Sequence, residues 1–102
     1  MDISQNVKFS VRAEKALDKI LDYLFREHSD KMQIDFLDKM YFSIAAIKLN
    51  PEGFPKSEIN KNQYRCVVSK QTTLYYRFNS KEIRILALFD TRMNPENIKK
   101  IK

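Results

Sequence analysis

Residues 64–89 read YRCVVSKQTTLYYRFNSKEIRILALF. Three short runs rich in β-branched and aromatic residues lie in this stretch, at 64–69, 72–78 and 83–89, separated by polar residues. That composition and spacing predict three consecutive strands joined by tight turns, an antiparallel meander. Tyr64, Cys66 and Val68 share one face of the first run, and Leu74, Tyr76 and Phe78 share one face of the second. In the third, Ile83, Ile85, Ala87 and Phe89 alternate with Arg84, Leu86 and Leu88, so it is apolar on nearly both sides and is expected to be the more buried strand. Matching apolar faces across the pairs sets the register: Arg65 opposite Tyr75, and Arg77 opposite Arg84, all on the same outward face. Like charges directly opposite each other in a sheet cost a few tenths up to ~1 kcal/mol. An anionic partner would relieve that repulsion; two arginines splayed into water are the plainer reading.

Upstream, the periodicity changes from two to between three and four. Ala13, Ala16, Leu17, Ile20, Leu21 and Leu24 recur at helical spacing behind Ser10, a good N-cap, and predict a helix from Val11 to about His28. Ser29 or Asp30 then caps a second helix reaching about Leu49, with Ile34, Leu37, Met40, Tyr41, Ile44 and Ile47 as its expected apolar stripe. So few residues separate the helices that they are expected to form an antiparallel hairpin. Residues 50–62 hold the single glycine, Gly53, with Pro51 and Pro55, and read as a long connector. Residues 3–9 alternate weakly and are read as a first strand. The expected fold is therefore α+β in the order β-α-α-β-β-β, a helix hairpin packed on a twisted antiparallel sheet. It forms one domain over residues 1–102 with a polar, basic tail from about residue 90.

Composition excludes much. The 102 residues contain one Gly, one His, one Cys and no Trp. A lone glycine cannot build a phosphate-cradling loop or a dinucleotide fingerprint. One Cys and one His cannot make a tetrahedral zinc site, a redox pair or an intrachain disulfide, so no metal or cofactor is expected. No apolar run approaches the ~18 residues of a membrane span, and the N-terminus lacks a secretory pattern. The net charge of +6 is not evenly spread. Residues 1–60 carry nine basic and ten acidic side chains, whereas residues 61–102 carry ten basic and three acidic. The excess belongs to the strand half and its tail, a plausible docking surface for an acidic partner.

The segments IAAIKLNPEGFP (44–55), YRCVV (64–68), TLYYRF (73–78) and above all IRILALFDTRMNP (83–95) occur in an order and spacing that resemble the RelE/ParE superfamily of bacterial type II toxins, over about residues 7–98. The resemblance implies a cytoplasmic growth inhibitor. It would be neutralised by an acidic, partly disordered antitoxin that folds on binding and makes the operator DNA contacts. The superfamily divides by target. Its RelE-like branch cleaves mRNA at the ribosome, chemistry that needs help deprotonating a ribose hydroxyl and cationic stabilisation of the phosphorane. Arg65 falls where that branch carries a lysine on the second strand, and Arg92 falls on its arginine after the last strand. Thr73 and Val67 occupy two further cation positions, and no Tyr or His follows Arg92. Lys99 and Lys100 remain in the tail, but ordinary lysine is a poor base near neutral pH and arginine is none at all. The pattern is closer to the ParE branch, which poisons DNA gyrase by binding. A ParE-like binding inhibitor is thus the leading expectation, and a RelE-like ribosome-dependent endoribonuclease the alternative. A plain basic nucleic-acid-binding module is a third reading. The candidate target- or antitoxin-binding residues are Arg65, Tyr75, Arg77, Arg84, Arg92, Lys99 and Lys100, with Arg65 and Arg92 the candidates for a nuclease. Arg92 has a structural alternative, an ion pair with Asp90. His28 is read as a helix-terminal residue, Cys66 as a buried inert thiol and Tyr76 as core.

Overall fold

The computed structural model describes residues 6–93. Strand β1 (Asn6–Phe9) leads through Ser10 into helix α1 (Val11–Glu27), which is followed by helix α2 (Asp30–Leu49) and a 3-10 turn at Pro51–Gly53. Strands β2 (Tyr64–Val67), β3 (Thr72–Phe78) and β4 (Glu82–Asp90) follow within the described residues. The meander is antiparallel, with Arg65 opposite Tyr75 and Arg77 opposite Arg84 as the apolar faces require. The sheet as a whole is mixed, because β1 adds parallel to β4 and gives the order β1-β4-β3-β2. This explains why the third run is apolar on both sides: β4 has a strand on each edge and α1 across one face.

Both helices start as the sequence indicates. Ser10 Oγ accepts from the Ala13 amide at 3.0 Å, and Ser29 Oγ accepts from the Met32 amide at 3.3 Å. Ser10 does more than cap. Its hydroxyl donates to the Leu86 carbonyl at 3.0 Å and its amide donates to the Ile85 carbonyl at 2.9 Å, pinning the start of α1 to the middle of β4. That is the point at which β4 is irregular. Tyr76 pairs with Ile85 but Tyr75 with Ala87, so Leu86 is an extra residue. A bulge leaves a residue out of the ladder, and Ser10 supplies a donor to its carbonyl. The bulge also corrects the expected face of β4. Ile83 and Ile85 point into the core, but beyond Leu86 it is Leu88 and Asp90 that pair with buried Leu74 and Thr72, while Phe89 turns outward to pair with Thr73.

Helix α2 departs further from expectation. It buries Phe36, Met40 and Ile47, whereas Ile34, Leu37 and Tyr41 of the expected stripe are exposed. The helix is apolar around most of its circumference, so its periodicity does not define one face. Packing against α1 selects the face through Phe36 and Met40, and Gln33 Nε2 bridges to the Leu21 carbonyl at 3.0 Å. The core joins Ala13, Ile20 and Leu24 of α1, those three residues of α2, and Cys66, Leu74, Tyr76, Ile83, Ile85 and Leu88 of the sheet.

The connector is held against the sheet rather than looping free. Tyr76 Oη donates to the Pro51 carbonyl at 2.6 Å, the Arg65 amide donates to the Pro55 carbonyl at 2.9 Å, and Lys56 bridges to Tyr64. Gly53 has no positive φ. A Cβ there would press only on the side chain of Asn50, which is exposed and can move aside.

Candidate functional site

Three of the expected site residues, Arg65, Tyr75 and Arg77, meet on the face of the sheet turned away from the core, and Arg84 joins them from β4. The alternation of β3 dictates this: Leu74 and Tyr76 are buried, so Tyr75 and Arg77 face outward. Tyr75 meets Phe89 edge to face, with centroids 5.7 Å apart at 85°, and the Arg12 guanidinium sits over the Phe89 ring at 5.8 Å. The result is a strip running Arg65, Tyr75, Phe89, Arg12, in which cations flank two aromatic rings. Arg65 Nε is covered and has no hydrogen-bond partner among the described residues.

The facing arginines are not left to repel each other. Arg84 donates twice to Glu82, at 3.1 Å from Nε and 2.8 Å from Nη2, so a carboxylate two residues away on the same strand face offsets its charge. Arg77 is exposed beside this pair. The repulsion between Arg77 and Arg84 therefore does not by itself require an external anion.

Arg92 adopts its structural alternative. Its Nε and Nη2 donate to the Asp90 carboxylate at 3.0 and 2.8 Å, and its backbone amide donates to the same group at 2.9 Å. Thr72 Oγ1 donates to Asp90 Oδ2 at 2.7 Å. The Asp90 side chain is fully covered and that of Arg92 is 21% exposed. Burial alone would raise the Asp90 carboxyl, but hydrogen bonds from Arg92 and Thr72 outweigh it and leave the group below its ordinary range. The hydrogen bond to Asp90 raises Arg92 in turn, against the opposing effect of its own burial. Arg92 is thus a braced cation at the end of β4. Lys99 and Lys100 lie outside the described residues.

Beside this brace opens a cleft of about 730 Å³ between α1 and the end of β4. Its apolar lining includes Ala16, Ile20, Leu88, Phe89 and Met93, and Arg12, Lys15 and Lys19 lie along its α1 side. The sequence reading missed these three cations because they belong to the half of the chain without net positive charge. Their spacing, three and then four residues apart, was the available signal for a one-sided basic row on a helix. His28 caps α1 at its C-terminus, exposed, with its ring against Tyr23 at 5.5 Å. Cys66 is buried; burial raises its thiol pKa, partly countered by a hydrogen bond involving Ser43. Among the described residues no three His, Cys, Asp or Glu side chains gather into a metal-binding group, and no helix is long and apolar enough to cross a membrane.

The chain thus sets a helix hairpin on a four-stranded mixed sheet, with a cationic and aromatic strip on the outer face. Residues 7–95 match the family described as the ParE toxin of the type II toxin-antitoxin system parDE, and the chain belongs to that family. The fold is similar to that in the chromosomal ParDE system of P. aeruginosa, at 15% identity over 84% of this chain and 95% of that one, with a TM-score of 0.69. It is similar also to the YoeB dimer of Staphylococcus aureus, at 20% identity over 83% and 94% of the two chains and a TM-score of 0.61. The E. coli DinJ-YafQ complex shares it at 13% identity over 88% and 96%, with a TM-score of 0.58. No curated protein matched the sequence.

Proposed function

We propose that this toxin inhibits growth by binding DNA gyrase rather than by cutting RNA, and that an acidic segment of a cognate antitoxin neutralises it. The observation that carries the gyrase reading is the chemistry of the outer strip. Arg65, Arg77, Arg84 and Arg12 are permanent cations interleaved with Tyr75 and Phe89, a set suited to gripping an acidic or planar surface. Arginine cannot take a proton from a ribose hydroxyl, and the single histidine of the chain caps α1 against Tyr23. Membership of the ParE toxin family supports the same reading.

For the antitoxin, the α1–β4 cleft combines an apolar floor with Arg12, Lys15 and Lys19 on its wall, which suits an amphipathic acidic segment that orders on binding. The candidate antitoxin for this test is the product of any short acidic reading frame adjacent to this one. Reversing two of the cations, in Arg12→Glu with Lys15→Glu, is expected to weaken its binding at least tenfold at low salt and much less at high salt. Unchanged affinity would remove the cleft from the interface.

The target is tested by inducible expression with and without the antitoxin, reading plasmid supercoiling and mRNA 5′ ends in the same cells. Relaxed or cleaved DNA with intact transcripts supports gyrase. Rapid cuts at ribosome-positioned codons with normal supercoiling would overturn it in favour of the endoribonuclease. Normal growth on induction would overturn inhibition altogether.

A further inference from the structure

The register of the sheet assembles a row of cations that no single strand shows. Lys8 of β1 pairs with Arg84 of β4, and Arg84 pairs in turn with Arg77 of β3. Val7 and Phe9 pack against the core, so Lys8 faces outward with the two arginines. The three lie side by side across three adjacent strands, about 4.8 Å from one strand to the next and about 10 Å from end to end. Like charges directly opposite each other are unfavourable in a sheet, and here two such pairs share Arg84. Glu82 offsets Arg84 alone, at 2.8 Å. Lys8 and Arg77 are exposed and have no ion pair or side-chain hydrogen bond among the described residues. Three cations against one carboxylate leave the row a net charge of +2. A mostly polar cleft of about 350 Å³, lined by Arg77, Phe78, Asn79, Glu82 and Arg84, opens at its β3 end.

We propose that Lys8, Arg84 and Arg77 form a seat for the phosphate backbone of duplex DNA. This deepens the gyrase reading, on which it rests for its setting: the acidic surface met by Arg77 and Arg84 is the DNA that gyrase holds. The chemistry around the row selects this occupant. An acidic protein segment that orders on binding needs apolar pockets for its anchors, which the α1–β4 cleft offers and this row lacks. A single strand is gripped by stacking its bases on open aromatic faces. The rings on this side of the sheet are already engaged, Tyr75 edge to face with Phe89 and Phe89 beneath Arg12. A duplex keeps its bases stacked inside and presents closely and evenly spaced phosphates. A row of about 10 Å matches groove widths of roughly 6–12 Å, so its two ends reach phosphates on either side of a groove. Such contacts position the partner without reading its sequence. Glu82 opposes the ligand, because it occupies Arg84 and places a negative charge beside the phosphates.

Fluorescence anisotropy tests this, using the purified full-length chain without antitoxin or gyrase and a labelled DNA duplex of about 20 base pairs, in about 50–200 mM NaCl. Each phosphate contact contributes about 0.9 to the slope of log affinity against log salt. Lys8→Ala combined with Arg77→Ala should therefore make the slope shallower by about 1.8, so that wild type loses about 12-fold more affinity than the variant across that range. Lys39→Ala combined with Lys48→Ala removes the same charge from exposed positions of α2 and should leave the slope unchanged. Glu82→Gln should tighten binding severalfold. None of these positions belongs to the core, and an unchanged circular dichroism spectrum verifies the fold. No binding by wild type at about 100 μM protein in the lowest salt, the weak end of ordinary non-specific affinity, would overturn the proposal. So would an α2 variant that lowers the slope as much as the row variant, which would leave only the general attraction of a basic chain. A Glu82→Gln variant that binds no more tightly would also overturn it. Single-stranded RNA bound more tightly than the duplex, through the same two residues, would reassign the row to RNA. Altered supercoiling in expressing cells without duplex binding keeps the gyrase reading and removes the row; duplex binding with normal supercoiling does the reverse.

Discussion

Replacing Arg92 by alanine removes the guanidinium from a covered carboxylate. Asp90 accepts four hydrogen bonds, three from Arg92 and one from Thr72, and its side chain is fully shielded from water. The variant keeps the Thr72 hydroxyl and the backbone amide but loses both side-chain bonds and the positive charge. Stripping one partner from a buried pair typically costs ~3–5 kcal/mol because the other charge remains. The two retained hydrogen bonds reduce this, so about 2–4 kcal/mol is expected near pH 7. For a chain of this size that corresponds to a Tm lower by on the order of 10–20 °C.

The pH dependence gives the sharper check. In the wild type the folded-state Asp90 is held below its ordinary pKa. Its contribution is therefore present above the usual carboxylate range and is lost as pH falls through the depressed folded value. In Arg92→Ala burial acts without its main opponent, so the carboxyl takes up a proton more readily and the variant recovers stability on acidification. The gap between the two proteins should narrow from pH 7 to pH 4. Urea unfolding followed by circular dichroism at both pH values measures it. A loss below about 0.5 kcal/mol at pH 7, within the usual scatter of surface substitutions, would refute the brace. So would a gap that is the same at pH 4 and pH 7. The stability measurement also governs any toxicity result. Toxicity retained by the folded variant at a temperature below its Tm removes Arg92 from the target contact. Toxicity lost there, with antitoxin binding preserved, assigns it one.

Other consequences are smaller. Tyr76→Phe removes the hydrogen bond to the Pro51 carbonyl and should cost about 0.5–1.5 kcal/mol in denaturant unfolding; no change would mean that the tether does not hold the connector. Glu82→Gln leaves Arg84 facing Arg77 without its carboxylate. The expected loss is about 0.5–1 kcal/mol at low salt, shrinking in 1 M NaCl, and a salt-independent loss would refute the electrostatic account. Cys66 should resist thiol reagents in the native protein and react on unfolding, because burial raises its pKa and blocks access. Stoichiometric labelling within seconds under native conditions would contradict this.

The elements of the fold were legible where local physics dominates. The Ser10 and Ser29 caps, the two helices and the three runs of the meander each depend on residues close in sequence. The pairing of Arg65 with Tyr75 and of Arg77 with Arg84 followed from period-two alternation, because a one-residue slip would have turned Tyr76 and Ile83 to water. The outward cations at Arg65, Arg77 and Arg84 were readable for the same reason. Long-range geometry was not. The Arg12–Lys15–Lys19 row gained meaning only when α1 was laid beside the end of β4, since the cleft belongs to neither element alone.

By itself, then, the sequence determined the order of elements, the register of the meander as far as the bulge and a chemistry limited to cations and aromatics, because capping, periodicity and composition are local properties. Tertiary structure decided what depends on elements meeting. Packing on α1 chose which of two apolar faces of α2 is buried and left the other in water. The bulge at Leu86, met by Ser10 from the start of α1, exchanged the two faces of β4, bringing Asp90 inward and Phe89 outward. That exchange set Asp90 against Thr72 and gave Arg92 its anchor, and it placed Phe89 between Tyr75 and Arg12. One inserted residue reverses every side chain beyond it, and alternation read along a single strand holds no record of where a neighbouring element induces the slip.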